Sequence, residues 1–211
     1  MTGGRLITIE GIDGAGKSTL AATLAEALAG RGVRVELLHE PGGVGLSERI
    51  GELVKDPSLK VEAHAEALLY AAARAELVRE RVTPLLGEGV WVLLDRFVDS
   101  SLAYQGAGRE LGVEQVRAIN LFAIGDLTPD RTLLLRIAPS TGRARQGARG
   151  GEPDRLELES ERFFETIAAA YEQLASAEPG RIRPIDAEQP AERVLELALA
   201  AIEDLIPRSG D

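Results

Sequence analysis

The sequence has no cysteine, one asparagine and three lysines, and it lacks any apolar run of the ~18 residues that a membrane-spanning helix requires. Without cysteine there are no disulfides and no thiolate metal sites. Without the apolar run, no membrane partner is expected. The opening stretch, "MTGGRLITIE", has no basic region leading into a long apolar segment, so no secretory leader is expected and a cytoplasmic location is the default. The single asparagine, Asn120, is followed by leucine, which removes the [NT]-K-x-D element that reads guanine in GTP switches. A net charge of −10 leaves no general basic field, so nucleic acid is not an expected partner. Of 24 cationic residues, all but Lys17, Lys55 and Lys60 are arginine. Codon composition accounts for most of that bias. Arginine also grips phosphate with a planar fork of donors, so individual arginines are weighed by position.

The chain that remains after these exclusions has 211 residues, 45% of them hydrophobic, enough for one domain over 1–211 with a mobile flap. Short β-branched or apolar stretches read as strands: "RLITIE", "VRVELLH", "VWVLLD", "RTLLLRI" and "RIRPID". Helical periodicity fills the intervals, in "KSTLAATLAEALAG", "LSERIGELVKD", "VEAHAEALLYAAARAELVRERV", "GVEQVRAINLFAIG", "LESERFFETIAAAYEQLA" and "PAERVLELALAAIEDLI". The third of these should end or kink near Pro84. Along it, Leu68, Ala72, Ala75 and Val82 are expected to form the packing side, leaving Tyr70 and Arg74, one turn apart, free to line a pocket. Alternating apolar strands and helices predict an α/β fold, a five-stranded parallel sheet with helices on both faces. One segment stands apart: "GRARQGARGGEPDR", about 142–155, is rich in Gly and Arg and nearly devoid of apolar residues. It is expected to be an exposed, mobile excursion.

The chemistry enters with "EGIDGAGKST", Glu10 to Thr19. Gly11, Gly16, Lys17 and Ser18 complete the G-x-x-x-x-G-K-[ST] pattern of a P-loop NTPase, between a strand and a helix. The whole loop, Gly11, Ile12, Asp13, Gly14, Ala15, Gly16, Lys17, Ser18 and Thr19, is the expected cradle for ATP. Glycines allow backbone N–H groups to turn toward the phosphates, and the helix start adds positive potential. Lys17 should reach the β- and γ-phosphates. The Ser18 hydroxyl should hold Mg²⁺, with Asp95 at the end of "VWVLLD" beside it. Arg96 follows Asp95 at once and puts a cation beside the metal and phosphates. A hydrolase has little need of that, whereas an enzyme holding a second anionic substrate does. On the loop alone the acceptor stays open: water, as in a non-kinase ATPase switch, a protein, a sugar, or another nucleotide, which could be any of several nucleoside monophosphates.

The longer motifs narrow the choice. "EPGG" (Glu40 to Gly43), "LLYAAAR" (Leu68 to Arg74), "DRFVDSSLAYQGAGR" (Asp95 to Arg109), "DRLELES" and "PIDAEQP", with the P-loop and over nearly the whole chain, resemble the bacterial thymidylate kinases. The resemblance implies a nucleoside monophosphate kinase-like fold with a mobile lid at about 142–155, transfer of the γ-phosphoryl of ATP to dTMP with Mg²⁺, and a homodimer. It also implies roles. Arg96 bridges the acceptor phosphate toward ATP, and with Lys17, Asp95 and a lid arginine makes up the catalytic set. Arg74 holds the thymine carbonyl edge, Tyr70 stacks on the base, and Ser101 and Gln105 contact it. Tyr104 lies under the sugar where a 2′-hydroxyl would collide. Asp13 sits near the 3′-hydroxyl and metal, and Glu40 and Pro41 form a turn at the acceptor site. The family places its second catalytic arginine either in the P-loop or in the lid. Gly14 here implies the lid, with Arg149 the best match and Arg145 or Arg143 as substitutes. The chain departs from the pattern at Gly51, where the family often has an arginine for the dTMP phosphate. Either Arg96 carries more of that phosphate, or the helix is distorted at Gly51.

Overall fold

The computed structural model describes residues 3–150 and 152–206, apart from the side chain of Arg149. The elements run β1 (Leu6–Glu10), α1 (Lys17–Gly30), β2 (Val35–His39), α2 (Gly45–Lys55), α3 (Ala63–Leu77), α4 (Thr83–Gly87) and β3 (Trp91–Asp95). They continue with α5 (Val98–Ser101), α6 (Val113–Ile124), β4 (Arg131–Arg136), α7 (Pro139–Arg149), α8 (Glu161–Ala177), β5 (Ile182–Asp186) and α9 (Ala191–Ile202). The five strands are parallel in the order β2-β3-β1-β4-β5. The α/β fold expected from the sequence is the fold found.

Every residue of β1 is buried, as a central strand covered on both faces must be. Ile7 and Ile9 pack with Leu20, Leu24 and Leu28 of α1 and with Ile167 of α8 in the larger core. Leu6 joins Leu77, Val92, Leu94 and Phe97 in a second cluster. Each such aliphatic contributes about 1.5–3 kcal/mol relative to exposure. Register then fixes the site. Ile9 pairs with Asp95, and His39 pairs with the same residue from the other side. The ends of β1, β2 and β3 therefore deliver the P-loop, the Glu40–Pro41 turn and the Asp95–Arg96 pair to one edge of the sheet, where ligands bind in open α/β folds.

The structure corrects three details. Of the Leu68, Ala72, Ala75, Val82 stripe only Val82 packs in the core: Leu68 is 56% exposed, Ala72 is exposed and Ala75 is half-buried, while Glu66, Ala67, Ala71, Ala73, Arg74 and Leu77 are buried. Tyr70 and Arg74 thus sit on the inward side, and they reach the cavity because it opens inward. The helix does not simply kink near Pro84. It passes through a π-helical turn, Val78–Val82, into α4, where Pro84 occupies the first turn and needs no N–H partner. The Arg-rich segment is not irregular throughout, because its first part is α7, opened by Pro139.

Candidate active site

A cavity of about 460 Å³ lies at the strand ends. Asp13, Gly14, Gly16, Lys17, Ser18 and Thr19 line it from the P-loop, and Glu40 and Pro41 from the turn after β2. Tyr70 and Arg74 line it from α3, Asp95 and Arg96 from the end of β3, and Ser101, Tyr104 and Gln105 from the helical stretch that follows. Gly11, Ile12 and Ala15 are behind the loop. Ile12 and Ala15 are buried in the core, where they support the turn. The side chain of Arg149 lies outside the described residues.

The P-loop conformation depends on glycine. Gly11, Gly14 and Gly16 have φ of 140°, 80° and 92°, which side-chain-bearing residues rarely adopt. At Gly14 there is a second reason: a Cβ would collide with the carbonyl of Gly142, so α7 packs its backbone directly on the loop. Lys17 Nζ donates to the Ile12 carbonyl at 3.0 Å. Burial, then the nearby Arg96 charge, lowers its pKa to about 8 against the opposing pull of Asp13 and Asp95. Phosphate in the loop would supply the missing counter-charge.

Ser18 Oγ donates to Asp95 Oδ2 at 2.6 Å. One hydroxyl and one carboxylate at this separation fit Mg²⁺, which keeps several waters and takes its remaining ligands from substrate phosphates. Among the described residues no cluster of three or more metal-binding acids or imidazoles is present.

Arg96 has φ 70°, the left-handed region that costs a non-glycine residue strain and is found where function requires it. Glu10 holds this backbone in place. Its Oε1 accepts from Phe97 N at 2.7 Å, and its Oε2 accepts from Ser100 Oγ at 2.6 Å and Tyr171 Oη at 2.9 Å. Burial and then Asp99 raise the Glu10 pKa to about 7, against the pull of Ser100, Arg96 and Tyr171. The Arg96 guanidinium donates to the Gly11 carbonyl at 3.3 Å, to Ser100 Oγ at 3.1 Å and to Asp13, with which it forms an ion pair. Burial opposes ionisation of Asp13, but Arg96 and then Lys17 outweigh it and hold its carboxyl at about 2.

Arg74 is almost fully buried and heavily committed. Its Nε donates to Glu40 Oε2 at 2.8 Å, Nη1 to Ser101 Oγ at 3.0 Å and to Asn120 Oδ1, and Nη2 to the Phe97 carbonyl at 3.0 Å while lying 2.7 Å from Glu40 Oε2. It braces four segments around the cavity, and a bound base would have to share one of these donors. At Gly51, α2 runs on without a break. A Cβ there would press on Pro41 at 3.2–3.3 Å, so the turn after β2 is seated on the bare backbone. The distortion of α2 that the sequence allowed at Gly51 is not found.

Residues that the sequence reading passed over also line the cavity: His39, Lys55, Ser100, Gln146, Asp154, Leu156 and Glu157. Asp154 and Glu157 lie in "DRLELES", quoted for resemblance but not resolved residue by residue. Of the lid arginines, Arg145 reaches the cavity and donates from Nη1 to the Ala187 carbonyl at 3.0 Å. Arg143 turns away, over the Phe164 ring and onto the Glu159 carbonyl.

The cavity thus joins the P-loop to a second pocket walled by Arg74 and Arg96. The thymidylate kinase family model matches residues 9–198. The chain belongs to the thymidylate kinase family. It is 46% identical to the thymidylate kinase of Alkalilimnicola ehrlichii over 209 residues, covering 99% of this chain and 96% of that protein. The thymidylate kinase of Halorhodospira halophila is 42% identical, with 98% and 97% covered, and that of Lactobacillus helveticus is 45% identical, with 97% and 98% covered. Among the described residues no helix is long and apolar enough to cross a membrane.

Proposed function

We propose that this protein transfers the γ-phosphoryl group of ATP to dTMP, giving dTDP and ADP, with Mg²⁺, in the cytoplasm and as a homodimer. The observation that carries the reading is that the P-loop and the Tyr70–Arg74–Ser101–Gln105 cluster open on one cavity, with Arg96 in contact with the loop and with Tyr104.

An oxygen of the dTMP phosphate attacks the γ-phosphorus, and the bond to the β,γ-bridging oxygen breaks, leaving its electron pair on ADP. The acceptor is largely dianionic near neutral pH, since its second pKa is about 6, so no general base is needed. The barrier is repulsion between two polyanions and the charge spread over the transferred group. Lys17 and the loop N–H groups hold the β- and γ-phosphates. Arg96 holds the acceptor phosphate, and Asp13, which orients Arg96, faces the sugar. Tyr70 stacks on thymine, Ser101 and Gln105 contact its edge, and Arg74 shares a donor with a carbonyl. Ser18 and Asp95 hold Mg²⁺, which neutralises phosphate charge when bound. Segment 142–155 acts as the lid that brings in an arginine and excludes water.

The dimer is supported by an apolar surface. The packed helices α2, α3 and α6 expose Leu53, Leu68, Leu121 and Phe122, the last at 95%. Such a patch on a charged protein fits a symmetric contact with a second copy. Product analysis after incubation with ATP, Mg²⁺ and dTMP tests the reaction: dTDP and ADP should form in equal amounts, and ADP without dTDP would remove the kinase reading.

A further inference from the structure

We propose that Glu66 fixes the orientation of the Gln105 side-chain amide and so selects acceptor bases that carry an N3–H, thymine and uracil, against cytosine. The inference rests on the reading of this cavity as a dTMP site.

Glu66 lies on α3 and is fully buried. Its Oε1 accepts from Gln105 Nε2 at 2.8 Å and from Arg109 Nε at 3.2 Å, and its Oε2 accepts from Arg155 Nη2 at 2.6 Å. Each of these neighbours is a donor. The Glu66 oxygens accept from all three, and Gln105 faces them with its NH₂. The amide oxygen is then turned from Glu66. Gln105 lines the cavity, so that oxygen is the end of the amide left for a ligand.

That choice has consequences for the base. An amide has nearly the same shape either way round, and its neighbours decide which end is presented. An oxygen facing the base accepts N3–H of thymine or uracil. It meets the N3 lone pair of cytosine with another lone pair. An NH₂ in the same place would favour cytosine. Glu66 is itself held rigidly: Arg155 donates from Nε to the Val54 carbonyl at 2.9 Å, and its backbone N–H donates to the Lys55 carbonyl at 3.0 Å. Glu66 itself does not line the cavity and acts through Gln105, which makes it a positioning residue.

The test is the ratio of kcat/KM for dTMP to that for dCMP. A glutamine at position 66 can accept from Gln105 or donate to it, so both amide orientations become available. Glu66→Gln should lower the ratio by about tenfold or more. In a Gln105→Ala background there is no amide left to orient, and adding Glu66→Gln should leave the ratio where it was. A ratio unchanged by Glu66→Gln, with both substrates losing activity alike, would overturn the proposal, as would an equal drop in the Gln105→Ala background. Should Glu66→Gln fail to fold by circular dichroism, competitive inhibition of the unaltered enzyme decides. Binding of dUMP about tenfold or more tighter than dCMP supports the proposal, and equal affinities overturn it. If the unaltered enzyme does not phosphorylate dTMP at all, the substrate reading fails first and takes this proposal with it.

Discussion

The Tyr104 hydroxyl donates to Asp13 Oδ2 at 2.9 Å, and the Arg96 guanidinium carbon lies 5.0 Å from the centre of its ring. One tyrosine therefore joins the P-loop to the arginine after β3. The ring is held from behind by Phe163, edge-on at 6.2 Å. A ring fixed on both sides cannot yield to an extra hydroxyl on the sugar. Tyr104→Ala should narrow the preference for dTMP over ribosyl-thymidine monophosphate, and Tyr104→Phe should keep it. Both are read as kcat/KM ratios. An unchanged ratio in Tyr104→Ala would remove the ring from this role.

The proposed mechanism gives the acceptor phosphate to Arg96, with glycine at position 51. Arg96→Ala should lower kcat/KM for dTMP by about 10²–10³, the value of one preorganised donor at a developing charge. Arg96→Lys should recover little, because one ammonium cannot replace a fork that reaches Gly11, Ser100 and Asp13 together. Steady-state kinetics with varied dTMP checks both.

A Cβ at Gly14 would meet the Gly142 carbonyl of α7, and the proposed mechanism takes its second cation from the lid. Arg149→Ala should lower kcat by about 10³ or more while ATP binding, measured separately, changes little. Arg143→Ala and Arg145→Ala should be milder. Near-normal kcat in Arg149→Ala with collapse in Arg145→Ala would transfer the role to Arg145.

Glu10 gives the fold a pH dependence. Its pKa is raised from 4.5 to about 7 in the folded state, so between these values the folded chain binds more protons than the unfolded one. Stability from this group is greatest below pH 4.5 and is lost as pH rises through 7, by about 3 kcal/mol. In Glu10→Gln that loss should vanish. Urea unfolding at pH 5 and pH 8 should show wild type losing stability relative to the variant as pH rises, and parallel behaviour would contradict it.

The exposed Phe122 should matter to assembly alone. In the proposed homodimer, Phe122→Asp should shift sedimentation from dimer toward monomer without unfolding the chain, and a monomer already in the unaltered protein would remove the dimer proposal itself. A dimer of unchanged strength would place the contact elsewhere.

Strands and the P-loop were legible in the sequence because both are local: β1 is a short apolar run, and the glycine spacing encodes its own turn. Tyr70, Arg74 and Gln105 were legible only through resemblance. The α3 stripe misled because small alanines pack inward where Leu68 points out, and apolarity alone does not say which face of an alanine-rich helix is covered. Gln105 and Tyr104 sit in a π-helical turn, Leu102–Gly108, whose wider spacing no 3.6-residue pattern reveals. Glu10, Glu66, Arg109 and Tyr171 were missed as site residues because their partners are distant in sequence, as with Glu10 and Tyr171, 161 residues apart.

The central claim is acceptor choice, and initial rates of ADP release with ATP and Mg²⁺ across dTMP, dCMP, dGMP, AMP and UMP test it most directly. Release should be fastest by far with dTMP and near background without an acceptor. Preference for AMP or GMP, or a rate indifferent to dTMP, would contradict the account.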